Sequence, residues 1–341
     1  MSTLRTLKAL EREGLVTPDP RLAEAAEAMA IAVTPEMLGL IDRADPADPI
    51  ARQFVPSVHE TEIAADELAD PIGDDARSPV KGIVHRYPDR VLLKPLHACP
   101  VYCRFCFRRE KVGPGGEALS ATELDAAVAY IKARPEIWEV ILTGGDPLML
   151  APRRLGKLIA ALDAIQHVGV IRIHSRVPIV DPTRVTDELL AVLKPQRAAL
   201  WFAVHCNHAR ELGTAARDAL ARLADAGIPL MGQTVLLAGV NDEVETLEAL
   251  MRALVRSRVK PYYLHHPDLV RGTGHFRVSV ERGQALIKAL RGRMSGLGQP
   301  TYVLDVPGGH GKVPIGPGYL GDDPDALLIE DAFGGQHRYP R

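Results

Sequence analysis

The sequence predicts an α/β protein, a partial parallel (β/α)6-type barrel under an N-terminal helical cap. Two observations carry this. From residue 91, short apolar runs alternate with amphipathic segments of helical length, the signature of βαβ units and a parallel sheet. The residues with chemical potential then fall just after those apolar runs, where barrels of this kind place their chemistry.

Residues 1–45 read as helices. Leu4, Leu7, Leu10 and Leu15 make one rough apolar face, and Leu22 to Ile31 is Ala-rich with Pro20 near its start. Residues 46–80 hold many Pro, Asp and Ala residues and predict irregular packing with one short helix near 60–68. Strands are expected at 91–94, 139–142, 168–173, 200–204, 230–237, 261–264 and 301–304. Helices are expected at 121–133, 153–165, 186–193, 210–226, 243–257 and 279–290. The chain divides accordingly into a cap (1–80), a barrel (81–315) and a short C-terminal tail (316–341).

Hydrophobic residues are 46% and charged residues 25% of 341, enough for a large core. A net charge of -2 gives no bulk attraction to nucleic acid or an anionic membrane. No apolar run reaches the roughly 18–20 residues that span a bilayer. Met1 to Arg12 is charged and lacks an apolar signal core. A cytoplasmic protein is expected.

Cys99, Cys103 and Cys106 are spaced C-x3-C-x2-C directly after the first predicted strand. A [4Fe–4S] cubane usually takes four thiolates. Three would leave one iron open, which suits a catalytic cluster. A zinc site with His97 as fourth ligand is the alternative; a disulfide would leave one thiol over. The distant Cys206 reads as a small buried apolar residue.

Other polar residues follow later strands. Gly144 and Gly145 allow close backbone approach, and Asp146 can accept from an amine, although Gly-Gly-Asp-Pro also reads as a plain turn. His174, Ser175, Arg176, His205 and Gln233 stand at successive strand ends or within a strand. Each could line a polar ligand site or merely satisfy a neighbour. Lys312 lies in a Gly-rich loop and could form a Schiff base with an aldehyde; such a loop alone is also a common surface turn. His265 and His266 are adjacent, and neighbours on extended chain point apart, which argues against a shared metal.

Taken together, residues 99–109 and 305–312, supported by 85–91, 143–148, 233–242 and 275–277, resemble the lysine 2,3-aminomutase family of the radical S-adenosylmethionine (SAM) superfamily. The resemblance runs from about residue 50 to 320. It implies a partial α/β barrel carrying a [4Fe–4S] cluster, SAM and pyridoxal phosphate (PLP). It implies that Cys99, Cys103 and Cys106 hold the cluster, and that Gly144, Gly145, Asp146, His205 and Gln233 bind SAM. Lys312 would be the PLP Schiff-base lysine, with Arg86, Tyr87 and Arg90 near that cofactor. Arg108 would hold the substrate α-carboxylate, and Asp268 and Asp305 the side-chain ammonium.

Two aspartates facing one ammonium favour L-lysine, converted to β-lysine by radical transfer of its α-amino group. A glutamate-specific relative would need neutral or cationic groups there. The alternatives are an aminomutase of arginine or glutamate, or a non-catalytic metal-binding protein. Further expectations from the resemblance are an electron donor such as flavodoxin or ferredoxin and a homo-oligomer. Short family members make β-lysine for translation elongation factor P; this chain's length resembles those, while its two aspartates resemble the free-lysine enzymes. Two departures stand out. His310 replaces a glycine in the Gly-rich loop, and no cysteine follows Cys206, so the zinc site of clostridial-type relatives has no counterpart.

Overall fold

The computed structural model describes residues 2–114, 116 and 118–341; Met1, Gly115 and Glu117 lie outside the described residues. The cap holds four short helices, α1 (Leu7–Arg12), α2 (Pro20–Ala28), α3 (Pro35–Leu40) and α4 (Ala51–Phe54). The first three each begin on a side chain, Thr6, Asp19 or Thr34, that accepts a backbone N–H. The helix expected near 60–68 is instead one 3₁₀ turn, Val58–Thr61, started by a capping box between Ser57 and Glu60. The chain then leaves to let Leu68 bridge to Val270.

The barrel follows as β1 (Ile83–Tyr87), β2 (Arg90–Leu96), α5 (Ala121–Lys132), β3 (Glu139–Gly144), α6 (Pro152–Asp163), β4 (Val170–Ser175), α7 (Val177–Val180), α8 (Asp187–Val192), β5 (Ala199–His205), α9 (Thr214–Asp225), β6 (Leu230–Val235), α10 (Val244–Arg256), β7 (Val259–His265), α11 (Val280–Arg293), β8 (Thr301–Val306) and β9 (Gly311–Pro314). Strands pair in chain order. β2 to β8 are parallel with helical crossovers, and β1 and β9 are antiparallel edges. The expected partial barrel with six βα units is therefore present.

Burial explains the alternation. Val140, Ile141 and Leu142 of β3 and Phe202, Ala203 and Val204 of β5 are buried in succession, so both faces are covered. The helices each bury one stripe, as Leu247, Leu250, Met251 and Leu254 do in α10. α9 begins at Thr214 rather than near 210. Residues 209–211 form a separate 3₁₀ turn, because the Glu211 carboxylate turns inward to accept from the Asn207 and His208 N–H groups at 3.0 and 2.9 Å.

No ladder joins β1 to β9 among the described residues. Side chains bridge that gap instead. Tyr87 Oη on β1 accepts the Lys312 N–H on β9 at 2.6 Å, and Arg86 Nη1 lies 3.6 Å from Asp305 Oδ1. The tail is more ordered than its polar sequence suggests: β10 (Leu320–Asp323), β11 (Ala326–Glu330) and β12 (Gln336–Tyr339) form an antiparallel sheet. β12 is exposed throughout, so no apolar alternation marked it. Among the described residues no helix is long and apolar enough to cross a membrane.

One buried ionic hub ties the cap to the loop after β2. Arg104 is fully buried. It donates to both oxygens of Glu60, at 2.8 and 2.5 Å, and to the carbonyls of Ala25, Met29 and Ala30 near the end of α2 at 3.1–3.2 Å. Arg109 Nη2 reaches the same Glu60 at 2.7 Å. Glu60→Gln leaves two buried guanidinium groups without their counter-charge. We expect it to cost about 3–5 kcal/mol, read as a large fall in thermal unfolding temperature.

Candidate active site

The loop 97–112 leaves β2 at the C-terminal mouth of the barrel and is gripped from two sides. From the cap, the Ala32 and Gln53 carbonyls accept from Tyr102 N at 3.3 Å and Arg104 N at 2.9 Å. From β3, Gly145 N and Asp146 N donate to the Leu96 and Ala98 carbonyls at 2.8 and 2.9 Å. Cys99 and Cys106 pack beside buried Met29, Ala32, Tyr102 and Val112. Burial pushes all three thiols up, Cys106 to about 11 and Cys99 well above its ordinary value. Each thiol also raises or is raised by another, which places them around one space. Among the described residues no three Cys, His, Asp or Glu side chains gather closely enough to share one ion.

The β3 glycines serve this loop. A Cβ on Gly145 would sit 2.6 Å from the His97 carbonyl carbon, and Gly144 has φ +105°. Asp146 ties two strands. Its carboxylate accepts from Ser175 Oγ at 2.8 Å, Arg176 N at 2.8 Å and Leu148 N at 3.0 Å, so it locks the ends of β3 and β4 together. Arg176 continues the lock. Its Nη1 donates to Cys103 Sγ at 2.8 Å, and its Nη2 to Glu211 and Gln53 at 2.7 and 2.6 Å. Residue-by-residue reading left Arg176 among generic polar residues; its contact with Cys103 needs the tertiary fold. Gln233 is buried on β6, level with His205 on β5.

Three histidines line the same mouth. His174 and His205 stand with ring centroids 5.9 Å apart, and His265 ends β7 beside Val303 of β8. Burial, then neighbouring cations, pushes His205 down to about 4 and His174 and His265 well below the usual histidine range. All three are neutral at pH 7. Among the described residues, His174 Nε2 is buried without a hydrogen-bond partner.

Across from the cysteines lies a set of charges. Lys312 Nζ donates to both oxygens of Asp305, at 2.8 and 2.6 Å. Its backbone is held by Tyr87, whose ring lies under Arg90 at 3.6 Å. Gly311 is required there: φ is +93°, and a Cβ would lie 2.7 Å from Tyr87 Oη. His310 is exposed on this turn. Burial, then the neighbouring Asp305 carboxylate, pushes Asp268 up to about 7. Asp74, in the irregular segment before β1, takes Arg108 through Nε and Nη2 at 3.0 and 2.9 Å, Arg86 Nη2 at 3.1 Å and Lys94 Nζ at 3.8 Å. Asp74 and Lys94 carried no sequence signal, since an Asp in a Pro/Gly/Asp stretch reads as a turn residue. Four cations, Arg86, Lys94, Arg108 and Lys312, thus face three carboxylates, one of which holds its proton to about pH 7. The surplus positive charge is a place for anions.

Two stretches of the family pattern turn out to be scaffold. Phe276 packs edge-on to Phe105 of the cysteine loop, centroids 6.0 Å apart, while Arg277 pairs with Asp66 and Glu67. Asn241 donates to the Asn207 and Val235 carbonyls at 2.8 and 2.9 Å.

A barrel with three thiols on the loop after its first parallel strand defines a radical SAM protein, and residues 93–251 match the Radical SAM superfamily. Residues 287–335 match the family described as Lysine-2,3-aminomutase. The chain is 43% identical over 319 residues to L-lysine 2,3-aminomutase of Acetoanaerobium sticklandii, covering 93% of this chain and 77% of that one. It is 43% identical over 299 residues to the enzyme of that name from Clostridium subterminale (88% and 72%). It is 37% identical over 289 residues to glutamate 2,3-aminomutase of Clostridioides difficile (85% and 68%). The chain belongs to the lysine 2,3-aminomutase family and is a radical SAM aminomutase, an isomerase, using a [4Fe–4S] cluster, SAM and PLP.

The residues present fit these groups. Three neighbouring thiols suit a cluster, the surplus of cations suits the phosphate of PLP, and Lys312 stands at the Asp305 end of that charge. Gly145→Ala would push the cysteine loop off β3. We expect a loss of about 1–3 kcal/mol in stability and markedly less iron per chain after anaerobic reconstitution, measured by iron analysis.

Proposed function

We propose that this chain converts L-lysine to β-lysine, and that the residues named above act as follows. Cys99, Cys103 and Cys106 hold the cluster. Arg108 binds the α-carboxylate, and Asp268 and Asp305 bind the side-chain ammonium. Bound together, the cluster and SAM supply a carbon radical that exchanges hydrogen with the substrate, and PLP carries the migrating nitrogen. The protein's part is to bind, orient and exclude water.

The observation that carries this reading is the ion pair of Lys312 with Asp305. In it the chain's own lysine ammonium already occupies both oxygens of Asp305. A Lys312 bonded to the cofactor no longer neutralises Asp305, and the two aspartates then face a gap suited to an ammonium. A substrate with a side-chain carboxylate would meet two acids there, one already raised to about 7 by burial and then by the other. The neutral His174, His205 and His265 add no cation to offset them.

We place the protein in the cytoplasm, served by a low-potential electron donor such as flavodoxin or ferredoxin. The β-lysine product would be released free or used to modify elongation factor P.

Purified anaerobically with all three cofactors, the protein is expected to form β-lysine from L-lysine, detected by chromatography. Lys312→Ala should lose both the PLP absorbance and turnover. No β-amino acid from lysine at full cluster occupancy would sink the reading. The pH profile gives a second check. Asp268 is raised, so free enzyme holds its proton below about pH 7. Lysine binding needs the carboxylate, so kcat/KM should rise with pH through about 7. Asp268→Asn should flatten that limb and raise KM.

A further inference from the structure

We infer that Asp74 is a positioning residue that sets the distance between the two ends of the substrate site; this rests on the reading that Arg108 takes the α-carboxylate and Asp305 the ammonium. Arg108 offers Asp74 its inner edge, with Nε at 3.0 Å and Nη2 at 2.9 Å, both on Oδ2. A guanidinium has a second edge, made by its two terminal nitrogens, that can take a carboxylate in a fork. Asp74 therefore aims that outer edge.

The other oxygen of Asp74 accepts from Arg86 Nη2 at 3.1 Å. Arg86 is itself fixed by the Ile72 carbonyl at 2.6 Å, and its Nη1 lies 3.6 Å from Asp305 Oδ1. Arg108, Asp74, Arg86 and Asp305 thus form one line of alternating charge. Their side chains are only 5–9% exposed. One planar carboxylate and one planar guanidinium separate the two ends, each internally rigid and each held by hydrogen bonds to more than one partner. The packing around the line is equally tight. Gly73, next to Asp74, has φ +65°, and a Cβ there would lie 2.6 Å from Gly309 N of the Lys312 loop. A site of fixed span selects by chain length. Asp74 would make it accept lysine and reject ornithine, one methylene shorter.

The bland alternative is that Asp74 only neutralises Arg86, Lys94 and Arg108. The two roles separate in one experiment on the holoenzyme under anaerobic conditions. L-lysine and L-ornithine are titrated into wild type, Asp74→Asn and Arg86→Lys, and dissociation constants are read from the change in cofactor absorbance, beside kcat/KM. Wild type should prefer lysine by roughly tenfold or more, the scale of one methylene. Both variants should lose most of that preference, chiefly through weaker lysine binding. Arg86→Lys keeps the Asp74–Arg108 pair and serves if Asp74→Asn does not fold. If the variants weaken both amino acids by one factor and leave the preference unchanged, Asp74 is only a counter-charge and the inference is overturned. If wild type binds neither amino acid, the reading of the site falls and this inference with it.

Discussion

Burying charge at the mouth of this barrel is tolerable only if every charge has a partner, and Glu60 is where that constraint is tightest. A fully buried carboxylate sits between two buried guanidinium groups, Arg104 and Arg109. Both arginines belong to the loop that carries the cysteines. Ionic contacts this deep do little for net stability against an apolar isostere, but breaking one side is severe. What the hub provides is location. It fastens the end of α2 and the 3₁₀ turn of the cap to the residue following Cys103, so the cap packs against the cysteine loop.

The same logic runs on through the site. Arg176 joins Cys103 to Glu211 and Gln53, and Asp146 ties β3 to β4 just beneath. On the far side no ladder closes the sheet among the described residues, and Tyr87 reaches Lys312 on β9 while Arg86 reaches Asp305 on β8 across the opening. An incomplete barrel leaves room at its mouth, and the bridge is made by the residues around Lys312. Opening and chemistry therefore sit in one place, which a fully closed ladder would have filled with backbone.

Dielectric environment then sorts the titratable groups. The histidines at the strand ends are driven neutral by burial and by the cations around them, while Asp268 is driven up beside Asp305. In the proposed reading, an ammonium arriving beside Asp268 would offset both the burial and the Asp305 repulsion that hold it high. Fixed charges on rigid strands suit a reaction whose difficult steps belong to the cofactors.

From sequence alone the alternation of apolar runs and amphipathic segments was enough for the βα order, because parallel strands buried on both faces and helices buried on one stripe have different periods. The C-x3-C-x2-C spacing marked the cluster loop, and the Gly-rich turn with Lys312 marked the opposite side. What only the tertiary structure decided were pairings far apart in the chain. Asp74 with Arg108 and Arg86, Glu60 with Arg104, and Arg176 with Cys103 join segments whose local sequences read as turn, cap and strand end. Asp146 also joins β3 to β4, and the short C-terminal tail forms a three-stranded sheet. The physical reason is common to all of these. Periodicity records which face of an element is buried, but the partner of a buried charge is chosen by three-dimensional proximity, which leaves no period in the sequence.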